Sequence, residues 1–182
     1  MASFQVRIIG GKWKGRKLVF PDQRGLRPTL GRARETIFNW LQGELEGRHC
    51  LDLFAGSGAL GFEALSRGAA SVTFVESHRG TARALRANAD RLGADGATVI
   101  TGRAERVLRR CSRTWEVIFV DPPFATTATA AALAAVREAE ALAPGGLVYA
   151  EAPRGEPLAG DDWELIKHAR TGETHFGLLA LP

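Results

Sequence analysis

Cys50-Leu51-Asp52-Leu53-Phe54-Ala55-Gly56-Ser57-Gly58-Ala59-Leu60-Gly61 is the stretch that decides the fold. It begins as an apolar strand, turns through closely spaced glycines and continues into a helix-forming run over residues 59–67. Glycines permit so tight a strand-to-helix turn and let a ligand approach the backbone. Outward from this unit the chain keeps alternating. Strands are expected at 71–75, 97–101, 115–120 and 146–150, and helices at 78–92, near 104–110 and at 127–142. Strands alternating with helices predict an α/β, Rossmann-like, doubly wound and mostly parallel sheet. Two last β-like runs, 163–170 and 175–181, have no long helix between them and predict an antiparallel pair at one side.

Before the glycine loop the pattern differs. Val6-Arg7-Ile8-Ile9 and Lys17-Leu18-Val19-Phe20 flank the Gly-rich connection Gly10-Gly11-Lys12-Trp13-Lys14-Gly15-Arg16, which predicts a hairpin. Pro28 breaks the chain. Thr29 can cap a helix to about residue 45, with Leu30, Ala33, Ile37, Phe38, Leu41 and Leu45 on one face and Gly47 at its end. Two parts are expected: a basic extension over 1–28 and a main α/β domain over 29–182.

The charge is uneven. Residues 1–48 hold ten Lys/Arg against four Asp/Glu, and the remainder holds fourteen against sixteen. A basic appendage beside a near-neutral domain suits a polyanion. Arginine outnumbers lysine twenty to four, but a general arginine bias does not explain why Asp22 is the lone acid between Gln5 and Arg34. The 182 residues suffice for one domain with a sizeable core. No run approaches the roughly 20 apolar residues that cross a bilayer, and the N-terminus has no apolar segment of a secretory signal. Cys50 and Cys111 stand far apart in apolar surroundings and read as free thiols of a reducing cytoplasm. The four histidines show no metal-ligand spacing, so no metal is expected.

Two loops carry the chemistry. Asp52 lies within the strand before Gly56, Ser57 and Gly58, where a carboxylate suits the ammonium of a methionine moiety and sits badly beside a pyrophosphate. Glu76 closes the next strand, twenty residues after Gly56, and can accept bonds from ribose hydroxyls. The glycines at 56, 58 and 61 also fit a dinucleotide fingerprint, but no phosphate-pairing base follows in the loop. The second loop, Asp121-Pro122-Pro123-Phe124, follows the apolar strand Val117-Ile118-Phe119-Val120. Two prolines fix two φ angles and remove two donors, leaving a stiff loop that presents carbonyls. An aromatic amino group is a poor nucleophile because its lone pair is delocalised. If the Asp121 carboxylate and the Pro122 carbonyl accept its two N–H bonds, the lone pair can turn toward a methyl donor while Phe124 stacks on the base.

Asp-x-Phe-Ala-Gly-x-Gly over Asp52–Gly58 resembles motif I of class I methyltransferases, and Asp-Pro-Pro-Phe resembles the signature of enzymes that methylate amino or amide nitrogens. Over nearly the full length the chain resembles the bacterial RsmD-type family. The resemblance runs through Arg7-Ile8-Ile9-Gly10-Gly11-Lys12-Trp13-Lys14-Gly15-Arg16-Lys17-Leu18, Leu26-Arg27-Pro28-Thr29, Arg34-Glu35-Thr36-Ile37-Phe38-Asn39-Trp40-Leu41 and the two loops. The hairpin block is the specific one, because generic methyltransferases lack it. The resemblance implies S-adenosyl-L-methionine as cofactor and N2 methylation of a guanine in 16S ribosomal RNA, within a small-subunit assembly particle. It further implies a cytoplasmic monomer.

On that reading the cofactor contacts fall to Asp52, Phe54, Ala55, Gly56, Ser57, Gly58, Glu76, Ser77, Arg103 and Ala104. The catalytic residues are Asp121, Pro122, Pro123 and Phe124. RNA contacts fall to Lys12, Lys14, Arg16, Arg27, Thr29 and Arg34, and to Trp13, which is available either for stacking or for packing on the hairpin. Arg27, Thr29 and Arg34 can instead serve as caps and ion pairs. Arg103-Ala104 stands where the family usually shows Asp-Ala, so Glu105 or the backbone must replace the adenine contact there, or that contact is lost. Two other functions fit the residues: an adenine-N6 DNA or RNA methyltransferase, which the Asp-Pro-Pro-Phe loop permits, and a non-catalytic RNA-binding assembly factor. The absence of a target-recognition domain disfavours the first, and intact loops disfavour the second.

Overall fold

The computed structural model describes residues 3–21, 31–123, 128–172 and 174–182. Strands β1 (Ser3–Arg7) and β2 (Lys17–Pro21) pair antiparallel, with Val6 opposite Leu18. Helix α1 (Gly31–Trp40) leads to the alternating part: β3 (His49–Asp52), α2 (Ala59–Ser66), β4 (Ser71–Glu76), α3 (Arg79–Leu92), β5 (Ala97–Thr101), α4 (Ala104–Leu108), β6 (Trp115–Val120), α5 (Ala128–Glu138) and β7 (Leu142–Pro153). Strands β8 (Glu164–Thr171) and β9 (Thr174–Ala180) complete a seven-stranded sheet of order β5-β4-β3-β6-β7-β9-β8. Strands β3 to β7 run parallel, and β9 lies antiparallel to both β7 and β8. The chain winds outward from β3 to β5, then returns to the other side of β3 as β6. The crevice between the carboxyl ends of β3 and β6 is therefore the topological switch point, where such sheets bind ligands.

Side chains alternate across each strand, and this sorts the core into two layers. Cys50, Phe74, Phe119 and Tyr149 face a layer shared with Ile37 and Phe38 of α1, Phe62 of α2 and Leu85 of α3. Leu51, Val75, Ile118, Val120 and Ala150 face the other, with Leu108 of α4 and Leu133 and Val136 of α5. The Phe62 and Phe74 rings meet at 4.6 Å between centroids. Each such side chain contributes roughly 1.5–3 kcal/mol by leaving water.

The hairpin belongs to the first layer. Val6, Ile8, Trp13, Leu18 and Phe20 are buried in the same cluster as the sheet residues. Its backbone is held by side chains of the alternating part. Glu63 of α2 is fully buried and accepts the N–H groups of Ile9 and Gly10, both at 2.7 Å. The Ser66 hydroxyl accepts the Trp13 N–H at 2.9 Å and donates to the Gly10 carbonyl at 2.6 Å. Buried backbone groups need partners, and here α2 supplies them.

The ends of several elements differ from the sequence expectation: β7 runs Leu142–Pro153 rather than 146–150, β3 ends at Asp52, and two helices are shorter. The Ala-rich helix stops at Glu138 rather than near residue 142. Glu140 adopts a left-handed φ of 49°, and Leu142 already pairs with Trp115, so the strand partner overrides helix propensity. Helix α1 ends at Trp40, short of residue 45. The chain tightens into turns there, with Gly43 at φ 86° and the Glu44 N–H on the Leu41 carbonyl. Leu41 and Leu45 stay buried without being helical.

Candidate functional site

The loop after β3 is tied to both neighbouring strands. The Leu53 N–H donates to the Phe119 carbonyl at 3.0 Å and the Ala55 N–H to the Val75 carbonyl at 2.9 Å. Gly58 enters α2 with φ 78°, and a Cβ there would lie 2.7 Å from Leu85 Cδ2 and from the Phe62 ring. Only glycine meets both demands. Gly61 lies so close to the Phe74 ring that a Cβ would overlap it. This lets α2 settle onto β4 and bring its Gly61 N–H to Asp52 Oδ2 at 3.0 Å.

Asp52 thus lies under the loop rather than at its lip, with 2% exposure. Burial pushes its pKa up to about 7, the nearby Glu76 charge adds to this, and the Gly61 bond opposes it. Glu76 is half-buried at the end of β4 and is held from two sides. The Gly56 N–H donates to its Oε2 at 3.0 Å and the His78 N–H to its Oε1 at 2.7 Å. Each oxygen keeps a lone pair for a second donor. Ser57 is buried, and its hydroxyl accepts the Ala59 N–H at 3.3 Å. Phe54 and Gly56 are partly exposed, Ala55 is buried and Ser77 is exposed. Arg103 is exposed at the start of α4 with Ala104 buried behind it and Glu105 exposed beside it.

Asp121 follows β6 and is half-buried, Pro122 is buried and Pro123 is exposed. Phe124, Arg27 and Thr29 lie outside the described residues. The structure therefore gathers Asp52, the glycine loop, Glu76 and Asp121 at the carboxyl edge of the sheet, around the switch point.

The basic residues are placed elsewhere. The turn with Lys12 and Lys14 docks on Ser66, at the far end of α2 from the glycine loop. That is one helix length away, about 12 Å for eight residues. Lys12, Lys14 and Arg16 are exposed, and Arg16 Nη2 donates to the Arg91 carbonyl at 3.0 Å. Trp13 is 8% exposed and packs in the core, with Lys12 Nζ 4.4 Å above its ring. Of the two roles open to Trp13, packing on the hairpin is the one its burial supports. Arg34 is 5% exposed, and its Nη1 donates to the Arg7 carbonyl at 3.0 Å, so it ties α1 to the hairpin rather than lining an open cleft.

Comparison with known proteins bears on this arrangement. A family profile described as "Conserved hypothetical protein 95" matches residues 6–180. The chain is 41% identical over 178 residues to ribosomal RNA small subunit methyltransferase D of Escherichia coli K12, covering 97% of this chain and 90% of the relative. The chain belongs to the ribosomal RNA small subunit methyltransferase D family. The Haemophilus influenzae member is 40% identical over 182 residues, covering 97% of this chain and 94% of the relative. Among solved structures, the E. coli protein yhhF superposes with a TM-score of 0.89 at 38% identity, covering 97% of both chains. A methylase structure from H. influenzae gives 0.83 at 38%, covering 97% of this chain and 98% of the other. The family match runs through the hairpin as well as the sheet, in keeping with their shared core.

The sequence reading missed three residues. Glu63 carried a signal, a carboxylate in the otherwise apolar α2. Asn88 had none. Glu151, which accepts the Tyr149 hydroxyl at 2.9 Å, carried the signal of its place directly after the expected strand 146–150.

Proposed function

We propose that this chain transfers a methyl group from S-adenosylmethionine to the exocyclic N2 of a guanine in 16S ribosomal RNA. The observation that carries the proposal is the meeting of the glycine loop and Asp121 across one switch point. Family membership supports ribosomal RNA as the substrate. The donor set suits the cofactor. Glu76 is fixed with lone pairs to spare for ribose hydroxyls, and the loop backbone is open at Gly56. The buried Asp52 lies beneath the loop, where an arriving ammonium would favour its ionised form against the burial that raises its pKa. Bound S-adenosylmethionine supplies an electrophilic methyl on a sulfonium.

The protein's part is positioning. Asp121 accepts one N–H of the target amino group and the Pro122 carbonyl the other, which turns the nitrogen lone pair out of the ring plane. Two consecutive prolines keep that carbonyl from swinging. These two contacts would hold the nitrogen for attack on the methyl, and the sulfonium would supply an electrophile that needs no metal. As the methyl passes from the sulfonium to the nitrogen, the S–C bond would break and a neutral thioether would leave, while Asp121, which holds the amino group, would take its proton. Lys12, Lys14 and Arg16 contact phosphates about one helix length from the base, so they hold the RNA without touching the reaction.

The test is methyl transfer from labelled S-adenosylmethionine to 16S RNA and to small-subunit particles from cells lacking the enzyme, with nucleoside analysis. N2-methylguanosine is the expected product. N6-methyladenosine would replace this reading with that of an adenine enzyme. Cofactor binding without transfer to either substrate would point to a non-catalytic assembly factor.

A further inference from the structure

Strand β7 lies beside β6 in parallel register, with Phe119 opposite Tyr149 and Val120 opposite Ala150. The next residues along the two strands are Asp121 and Glu151. By alternation both project from the face that holds the Phe119 and Tyr149 rings, which sit 6.4 Å apart. The catalytic loop therefore has a second carboxylate beside it, one strand over.

Glu151 is anchored. Its backbone pairs with Phe176 of β9, and its carbonyl accepts the Thr129 hydroxyl at 2.6 Å. Its side chain is half-buried, and Oε2 accepts the Tyr149 hydroxyl at 2.9 Å. Tyr149 is fully buried. Burial and the charges of Asp121 and Glu151 raise its pKa well above the usual value, so it remains a donor. This bond fixes one oxygen of Glu151 and leaves the other to accept.

Guanine, adenine and cytosine all carry an exocyclic amino group. They differ at the ring nitrogens beside it. In guanine the amino carbon lies between two ring nitrogens, N3, which accepts, and N1, which bears a hydrogen and donates. In adenine and cytosine the single ring nitrogen beside the amino carbon bears a lone pair and accepts. A carboxylate next to the one that holds the amino group attracts the first and repels the other two.

We infer that Glu151, held by Tyr149, is the residue that selects guanine, by accepting the N1–H while Asp121 holds the N2 amino group. The inference rests on the proposed guanine-N2 reading and names what within the site enforces it. Asp121 alone treats the three bases alike.

The probe is a pair of RNA fragments spanning the methylated position, one with guanine there and one with 2-aminopurine. The analogue keeps the 2-amino group but has an accepting N1 and no O6. Wild type is expected to favour guanine by about 10- to 100-fold in kcat/KM, the loss expected when a charged acceptor faces no donor. In Glu151→Gln, whose amide can donate to an accepting N1, the preference should shrink to a few-fold. Tyr149→Phe should shrink it partway, because Glu151 loses its anchor. Affinity for S-adenosylmethionine should hold in both variants, which separates this role from a purely structural one.

An unchanged preference in Glu151→Gln, with N2-methylguanosine still formed, would overturn the inference and leave the function standing. Wild type that forms no N2-methylguanosine would overturn the function and the inference together.

Discussion

The side-chain amide of Asn88 pairs with the backbone of Val19 as a neighbouring strand would. The Val19 N–H donates to Oδ1 at 3.1 Å, and Nδ2 donates to the Val19 carbonyl at 2.9 Å. Asn88 is buried on α3, so the second strand of the hairpin, β2, finds its other partner in a helix. Asn88→Leu leaves both Val19 groups without a partner. It should cost about 1–3 kcal/mol in urea unfolding, the usual penalty for buried polar groups left unpaired. A variant as stable as the parent would show that water replaces the amide.

Glu63 closes the other end of the hairpin. Besides Ile9 and Gly10 it takes Arg67 Nε at 2.8 Å. Glu63→Gln keeps the shape but turns an amino group toward one of these donors. A loss of about 1.5–3 kcal/mol is expected, in the range for hydrogen bonds to a charged group. Amide exchange at Ile9 and Gly10 should speed up in parallel. Unaltered exchange at these two positions would place the hairpin's stability in its apolar contacts instead.

Asp121→Ala should lower kcat by at least about 100-fold, the scale for removing one preorganised contact to the reacting group. Calorimetric affinity for S-adenosylmethionine should hardly change. The reason is that the proposed contact with the amino nitrogen would matter most in the transition state. Equal losses in affinity and rate would assign Asp121 to cofactor binding.

Replacing Lys12, Lys14 and Arg16 together with Ala should weaken RNA binding. It should flatten the dependence of log affinity on log salt by about 2–3, roughly 0.7–0.9 per phosphate contact. Because the turn is a helix length from the catalytic edge, kcat at saturating RNA should stay near the parent's. An unaltered salt slope would take the hairpin turn out of the interface.

Asp52 makes stability depend on pH in a direction opposite to most carboxylates. Its folded pKa of about 7 lies above the ordinary value of 3.8. The folded chain therefore holds that proton more tightly than the unfolded one. The stabilisation is whole below the ordinary value and is lost as pH rises through about 7. Between about pH 5 and pH 8, Asp52→Asn should lose less stability than the parent in thermal melts. Identical pH profiles for the two would mean that Asp52 is ionised throughout.

Much of this protein is local, and what is local was legible. The alternation of strands and helices, the glycine turn and the stiff Asp-Pro-Pro loop follow from periodicity and from the φ preferences of glycine and proline. Each acts within a few residues. Element ends were less legible where a partner decided them. Alanines at 139 and 141 favour helix, yet the chain has left α5 there and Leu142 takes its place opposite Trp115.

The sequence by itself determined the sheet class, the two loops that meet at the switch point and the basic charge of the first quarter. Only the tertiary structure decided how these are disposed. Trp13 is core rather than a stacking platform, because Ser66 and the apolar layer enclose it. Lys12 and Lys14 sit away from the glycine loop and Asp121, because α2 runs back from the carboxyl edge of the sheet before it receives their turn. Glu151 stands beside Asp121, because two strands thirty residues apart in sequence pair in one register. Hydrogen bonds and burial between distant segments fix such relations, and no window along the chain contains both partners.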